Sequence, residues 1–469
     1  MKVILKLLAT IGLAALIAGC TNTEEPEPGA STLSPQEAGE IAREAYIFGS
    51  AFVSNYRVFI RLLVEGNPLM QGATFNEFAH NREPFPPQTP DTTQRDTLFS
   101  LGIVDLRREP VVISVPDVPA GQSYMLQMGD TSTETLPYIS TLTTNNQSGD
   151  YVLVGPEFQG ALPSKKFDGV ITTRGQLVIM LGRTTITDPE DLTATIAIQD
   201  GMQMRPLSAF LGTDAPPEPP AIDFLPWDAD KAAGIGVFDY INMALAWHPP
   251  AMSELDMMAS FSRIGVVPGQ PFSTEGMSSE IIAAMEEAII ETNQKIEEEQ
   301  TKRGAFSGNW QWDTSDISRF GTDYFTRSVV AHKNIYPNAP DHAVYGQAYR
   351  DANGDQLTGS RGASVRFAAG ELPPADMFWS LTLYDASTTA MHPNDTGRYA
   401  LGNLTKSLVY GDDGSLTLYI QHDEPADTEQ RANWLPAPEG DIYLVLRLYG
   451  AKPEVMSGDW TPPPVEAMP

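Results

Sequence analysis

The chain has one cysteine, Cys20, in 469 residues. Because a disulfide within one chain needs two thiols, the folded body must be held by its packed core and hydrogen bonds alone. Histidine is also scarce, and no regular metal-ligand spacing links the six residues at positions 80, 248, 332, 342, 392 and 422. A metal site would therefore have to assemble from distant segments, and we assign no metal ligand from the sequence.

Basic residues are few. The chain has 30 Lys and Arg and 60 Asp and Glu, so its formal net charge is -30. Such a surface repels phosphate backbones, which argues against a nucleic-acid partner. After Cys20, no apolar stretch approaches the roughly 20 residues expected of a membrane-spanning helix. Hydrophobic residues nevertheless make up 42% of the chain, which is enough for substantial cores and excludes a disordered protein.

Familiar catalytic signatures are missing. The sequence has no H-E-x-x-H, G-x-S-x-G or S-x-x-K pattern and no Walker or dinucleotide-binding motif. Their absence lowers the expectation of an enzyme and indicates no particular cofactor. The sequence patterns favour neither an enzyme nor a binding protein decisively.

The amino terminus predicts export. Lys2 and Lys6 precede the short apolar run 7–17, and the small residues Ala18 and Gly19 separate this run from Cys20. This order is typical of a lipoprotein signal peptide over residues 1–19, with a lipid on Cys20 that holds the protein to a membrane. Thr21 after the cysteine favours the periplasmic side of the outer membrane of a Gram-negative bacterium. The polar segment 20–33 is then a flexible tether.

The rest of the chain alternates between β and helical patterns. Ser34-Pro35-Gln36-Glu37 predicts the capped start of a long amphipathic helix. Short β runs follow over 101–207, including one at 193–198, and helical periodicity over 232–303 precedes renewed β patterning from Ser364. We therefore predict a mainly β (α+β) fold with two antiparallel β-sandwich or jelly-roll-like domains. The predicted units are 34–212 (helix plus sandwich), 213–345 (proline-rich linker and helical insert) and 346–469 (second sandwich).

The two β regions resemble each other. Residues 123–133 align without gaps on residues 378–388, and both segments end in Asp-x-Ser-Thr. The apolar segments 176–183 and 441–447 both end in arginine. These matches indicate two related sandwiches, whose apposition would create a cleft suited to a ligand.

The loop before the first strands offers a catalytic hypothesis. His80 could act as a general base there, with Asp96 as the carboxylate that orients it. In the structural alternative, Asp96 caps a turn and His80 makes one hydrogen bond. Arg82 lies in the same polar segment.

Candidate ligand-binding residues gather near the carboxyl terminus. Asn433 and Trp434 are followed by Arg447 and Tyr449, so an indole, a guanidinium and a phenol are available to stack on a ring or clamp a carboxylate. The same groups could equally pack the edge of a sandwich. Together with Arg82 and Trp379, they form the predicted ligand-binding set.

Several of these segments also resemble a known family, in which a domain of unknown function numbered 1254 precedes one numbered 1214. The resemblance is most specific over 367–384, Asn433 to Pro438 and 447–450, and on the amino-terminal side over 76–80 and 96–100. It implies β-sandwich domains with a helical middle and supplies no reaction. The family usually has Pro-Asn-x-Asp-Thr-Leu-Tyr, where this chain has Thr93-Gln-Arg-Asp-Thr-Leu-Phe99. That departure puts an inherited site around Asp96 in doubt.

Three functions are compatible with these features. The first is a lipid-anchored cell-envelope protein that binds a small polar or amphipathic ligand in an interdomain cleft. The second is a hydrolase or lyase that uses His80 and Asp96, with or without a divalent metal. The third is a structural subunit of a homo-oligomer.

Overall fold

The computed structural model describes residues 33–66, 74–164, 166–302, 304–333 and 335–468. The predicted signal peptide, Cys20 and nearly all of the tether lie outside these ranges. The first helix begins where the sequence predicts, since the Ser34 hydroxyl accepts a hydrogen bond from the Glu37 amide at 3.2 Å. This helix continues to Phe59 and is followed by a π-helical turn, Ile60–Val64.

The helices occur mainly before and between the two β regions. In the described part of the chain they are α1 (Pro35–Phe59), α2 (Thr141–Thr144), α3 (Thr193–Gly201), α4 (Leu207–Leu211), α5 (Ala229–Ala233), α6 (Val237–Leu245), α7 (Leu255–Ser262), α8 (Ser279–Lys302), α9 (Tyr324–Lys333), α10 (Thr428–Ala432) and α11 (Pro453–Met456).

The first sandwich consists of a five-stranded sheet and a four-stranded sheet. Its strands are β1 (Phe78–His80), β2 (Thr97–Asp105), β3 (Val111–Val115), β4 (Tyr124–Asp130), β5 (Ile139–Ser140), β6 (Gly149–Val154), β7 (Gly169–Thr172), β8 (Leu177–Thr185) and β9 (Gln203–Pro206). The strand order is β1-β2-β8-β4-β5 in the larger sheet and β7-β6-β3-β9 in the smaller.

The second sandwich consists of a six-stranded sheet and a four-stranded sheet. Its strands are β10 (Phe306–Ser307), β11 (Trp310–Trp312), β12 (Ala343–Ala348), β13 (Ala363–Phe367), β14 (Ala375–Asp385), β15 (Ala400–Gly402), β16 (Leu416–Gln421), β17 (Trp434–Pro436), β18 (Ile442–Ala451) and β19 (Val465–Ala467). The strand orders are β10-β11-β12-β18-β14-β15 and β17-β16-β13-β19. The class predicted from the sequence, mainly β with a helical insert, is confirmed.

The two sandwiches repeat the same strand order. Strand β4 lies between β8 and β5, just as β14 lies between β18 and β15. Each smaller sheet contains one parallel pair, β6 with β7 and β16 with β17, so neither sandwich is purely antiparallel. Strands β10 and β11 fall in the chain before residue 346, yet they belong to the larger sheet of the second sandwich. The gap-free alignment of 123–133 on 378–388 thus corresponds to equivalent strands.

One predicted strand is wrong. Residues 193–198 form the start of helix α3, although their alternation of β-branched residues is typical of a strand. The Asp191 carboxylate accepts a hydrogen bond from the Thr193 amide at 3.0 Å in the turn that precedes the helix. Thr195, Ile198 and Gln199 are then buried together on one helical face, so tertiary packing overrides the local β preference.

Helix α1 lies between the helical insert and the first sandwich. Phe48, Phe52 and Tyr56 belong to one apolar core with residues of α6 and α8. Leu101 and Ile179 join that core from the outer face of the five-stranded sheet. The helical insert therefore covers part of a sheet face that would otherwise be exposed.

The expectation that no stretch after Cys20 approaches membrane-spanning length is wrong for the combined helical stretch Pro35–Val64, which is long and apolar enough to cross a membrane when length and composition alone are considered. Inside the protein, however, 56% of its most apolar window is buried. This burial fits a core helix, since the apolar face already has protein partners.

Replacement of Gly49 tests the contact between α1 and α6. A Cβ at Gly49 would lie 2.3 Å from Cδ1 and 2.9 Å from Cγ2 of Ile241. We expect Gly49→Val to lower the free energy of unfolding by about 2 kcal/mol, because overpacking forces the two helices apart. Chemical denaturation measures the change. Gly440→Val is the control, since a Cβ there has no described heavy atom within 4 Å; equal losses in both variants would contradict the prediction.

Candidate functional site

Asp96, Arg447 and Tyr449 come together where the outer faces of the two larger sheets meet. The Asp96 carboxylate accepts a hydrogen bond from the Ser380 hydroxyl of β14 at 2.8 Å. Arg447 donates to the Tyr384 hydroxyl at 2.8 Å and to the backbone carbonyl of Thr92 at 3.0 Å. Polar side chains of the second sandwich are thus tied to the loop that precedes β2.

Burial dominates the electrostatics of this cluster. Burial raises the pKa of Asp96, while the Arg447 guanidinium and the Ser380 hydroxyl act in the opposite direction. Burial also raises the pKa of Tyr384. Arg447 is only 4% exposed, and removal of its charge would leave buried acceptors without a donor. The arrangement is that of a polar contact holding two sandwiches together.

The duplicated strands place a second arginine at the equivalent position. Arg183 is paired in register with Phe99, as Arg447 is with Tyr345. The Arg183 guanidinium lies 5.2 Å from the centre of the Phe99 ring and donates to the Gln127 side chain at 3.1 Å. Arg183 is half-buried, unlike Arg447. The same position therefore holds a buried arginine in one sandwich and a more accessible one in the other.

His80 lies apart from this cluster. Its Nδ1 is 2.7 Å from the Ser100 hydroxyl, and four residues of strand, about 13 Å, separate Ser100 from Asp96. Burial, assisted by Arg82, lowers the pKa of His80 to about 4. A general base must reach the proton it abstracts within about 3 Å and works best with a pKa near the working pH. The structure therefore does not bring His80 and Asp96 together as a catalytic pair.

The other predicted ligand-binding residues are separated from Arg447. Arg82 forms an ion pair with Asp200 at 2.6 Å on the surface of the first sandwich. Trp379 is 3% exposed and belongs to the core of the second sandwich. Because side chains alternate along β14, Trp379 points into that core while Ser380 faces the interface.

Asn433 and Trp434 have structural partners inside the second sandwich. The Asn433 side chain donates to the Val409 carbonyl and accepts from the Val409 amide at 2.8 Å. The Trp434 indole N–H donates to the Gln421 carbonyl at 2.8 Å. Of the predicted ligand-binding set, only Arg447 and Tyr449 lie with Asp96.

A second buried polar cluster was not predicted from the sequence. His248 is 1% exposed, and its Nδ1 lies 3.0 Å from the Thr131 hydroxyl and 3.9 Å from an Asp130 carboxylate oxygen. Arg327 of α9 is 2% exposed and donates to the Phe48 carbonyl of α1 at 2.8 Å. Within the described ranges, no group of three His, Cys, Asp or Glu side chains could hold a metal ion. This cluster joins the first sandwich to the helices.

A pocket of about 400 Å³ opens in the helical region. Helix α1 contributes Ser50, Val53, Ser54 and Arg57 to its lining, and the loop before α5 contributes Trp227. The pocket lies between the amino-terminal helix and the helical insert, which the sequence assigned to separate units. Both apolar walls and polar groups are present, as in most small-molecule sites.

Helices α8 and α9 complete the pocket. Asn293 and Ile296 of α8 and His332 and Lys333 of α9 line it. The α1 residues could have been found from the sequence, because Ser50, Ser54 and Arg57 recur at steps of four and three and form a polar stripe beside the apolar face. The residues of α8 and α9 give no such signal, since their approach to α1 depends on tertiary packing.

Comparison with known proteins places these sandwiches in a family. The model described as "Protein of unknown function (DUF1254)" matches residues 75–206, and the one described as "Protein of unknown function (DUF1214)" matches residues 342–453. The chain belongs to the family that pairs these two domains. In this family member the first domain covers β1 to β9 and the second covers β12 to β18, in the order predicted.

The fold of this family member is also seen in a solved structure. The crystal structure of the VPA0106 protein from Vibrio parahaemolyticus matches with a TM-score of 0.74 and 24% identity, covering 92% of this chain and 100% of that chain. A weaker match is an uncharacterized protein from Burkholderia cenocepacia, with a TM-score of 0.44, 12% identity and coverage of 92% and 93%. No curated protein matches the chain. The first likeness supports the fold and carries no function.

Acid should destabilise the protein through His248. Burial lowers the pKa of this histidine from 6.5 to about 4, so between these values the unfolded chain binds a proton that the folded protein does not. Stability therefore falls as the pH is lowered through this window. We expect wild type to lose about 2 kcal/mol more than His248→Gln between pH 7 and pH 5.

Denaturation with urea at the two pH values measures this difference. His422→Gln is the matched control, because it removes an exposed histidine from the second sandwich. If His248→Gln lost as much stability as wild type and the control, the buried histidine would not be the source of the acid sensitivity.

Proposed function

We propose that this chain is a lipid-anchored protein of the bacterial cell envelope that binds a small amphipathic ligand in the pocket between α1 and the helical insert. The observation that carries the proposal is the pocket itself, about 400 Å³ in volume and lined by α1, α8, α9 and Trp227. Its size falls in the range of small-molecule sites.

The interface between the sandwiches is less suited to a ligand. Arg447 already donates to Thr382, to Tyr384 and to the Thr92 carbonyl. The Asp96 carboxylate is likewise bonded to Ser380. A ligand would have to displace these bonds inside a packed interface, and buried donors left unpaired are costly. The pocket in the helical region needs no such displacement.

The amino-terminal sequence supports the anchor. The small residues before Cys20 suit a lipoprotein signal peptidase, and the polar segment that follows separates the lipid from the helical start at Ser34. Helix α1 is a poor alternative anchor, because its apolar side is packed against α6, α8 and the first sandwich. In this proposal the lipid alone attaches the body to the membrane.

Replacement of Cys20 tests the anchor. We expect Cys20→Ser to abolish incorporation of labelled palmitate and to move the protein out of the membrane fraction, because serine has no thiol to accept the lipid. Thr21→Ser, which keeps the thiol, is the matched control. Recovery of wild-type protein in the soluble cytoplasmic fraction with an intact Met1 would contradict the proposal.

Filling the pocket tests ligand binding. N-phenylnaphthylamine is an uncharged dye that fluoresces in apolar surroundings, and we expect the mature protein to bind it saturably at about one equivalent. Ser54→Phe places a ring in the pocket and should abolish the signal. Thr301→Phe adds the same ring at an exposed position of α8 and should leave binding unchanged. Absent binding by wild type, or equal binding by the Ser54→Phe variant, would refute a ligand site here.

A further inference from the structure

Basic side chains line the pocket. Arg57, His332 and Lys333 line it, and no Asp or Glu is among the described lining residues. This is unexpected in a chain with twice as many acidic as basic residues. We propose that the ligand is an amphipathic anion whose head group binds beside Arg57 and Lys333 and whose apolar body lies against α1 and α8. The inference rests on the ligand-binding function proposed above.

The position of Arg57 suits it to hold a head group. Its guanidinium lies 5.3 Å from the centre of the Trp227 ring, within the range of a cation–π contact. One amino group is 2.7 Å from the Glu65 carboxylate. Among the described residues this is the one ion pair of Arg57. A guanidinium carries five N–H donors, so the ion pair with Glu65 leaves donors for a ligand. The fork of an arginine fits the two oxygens of a carboxylate.

Lys333 and His332 provide basic groups on the opposite wall. Lys333 is the last residue of α9, where the helix dipole is negative. A full lysine charge outweighs this partial charge, so that end of the pocket still attracts an anion. His332 lies 4.0 Å from Glu297, an acid outside the lining. Both walls thus present basic groups to the same space.

The rest of the lining selects an apolar body of limited size. Val53, Ile296 and Ile335 line the space together with the Trp227 ring. A volume of about 400 Å³ lies toward the lower end of the range for small-molecule pockets. It therefore suits a ligand with one apolar chain or a small ring system. A monocarboxylate with a ten-carbon chain meets this description.

Displacement of N-phenylnaphthylamine from the mature protein tests the inference. Decanoate below its micelle-forming concentration, decanol and inorganic phosphate are the three competitors. We expect decanoate to displace the dye at concentrations about tenfold lower than decanol does, as a charge-assisted hydrogen bond predicts. Phosphate should not displace it, because it has no apolar body.

Two variants that break the same ion pair but differ in their expected effect on decanoate binding make the test specific. Arg57→Gln should weaken decanoate binding about tenfold and leave decanol unchanged. Glu65→Gln breaks the same ion pair but keeps the guanidinium, so decanoate should bind as tightly as to wild type or more tightly. If decanoate binding weakens only in the Arg57→Gln variant, the broken ion pair alone cannot be the cause, because both variants break it.

The outcomes separate this inference from the proposed function. Equal displacement by decanoate and decanol, unaffected by Arg57→Gln, would overturn the anionic ligand and leave a pocket for uncharged molecules. Displacement by phosphate alone would overturn the amphipathic ligand in favour of a simple anion site. If the dye itself failed to bind wild-type protein, the proposed function would fall and this inference with it.

Discussion

Burial of helix α1 is the constraint on which the rest of the structure depends. Its apolar face, with Phe48, Phe52 and Tyr56, packs into the core shared by the helical insert and the first sandwich. Because one side of the helix is fixed in this way, the neighbouring stripe with Ser50 and Arg57 faces α8 and α9. The same packing that stabilises the helix therefore places its polar residues in a pocket.

The two sandwiches share a plan and have diverged at equivalent positions. Asp130 and Asp385 both accept hydrogen bonds within the turn that follows their strand. Asp130 is 2% exposed and lies near His248, whereas Asp385 is partly exposed. The paired arginines show the same divergence, since Arg447 is buried at the interface and Arg183 is half-buried. The hydrogen bonds within the turns are the same in both sandwiches, whereas the burial and the partners of the equivalent charged groups differ.

Sequence reasoning succeeded where the signal was local or repeated. The capped start of α1 and the equivalence of β4 with β14 depend on short patterns, and both are present in the structure. It failed for residues 193–198, where buried contacts of Thr195 and Gln199 favour a helix. It also grouped His80 with Asp96, because closeness along the chain does not show which side chains meet across a sheet.

The fold class, the duplication and the family could be predicted from the sequence, since each depends on residues close together in the chain or on repeated patterns. The lipid-anchoring signal stays a prediction from a local pattern of the same kind. Which polar residues share a space depends on the tertiary structure. Arg57, Trp227, Asn293 and Lys333 come from four separate segments. Their proximity results from helix packing, which is set by the summed burial of many apolar side chains and not by any local motif.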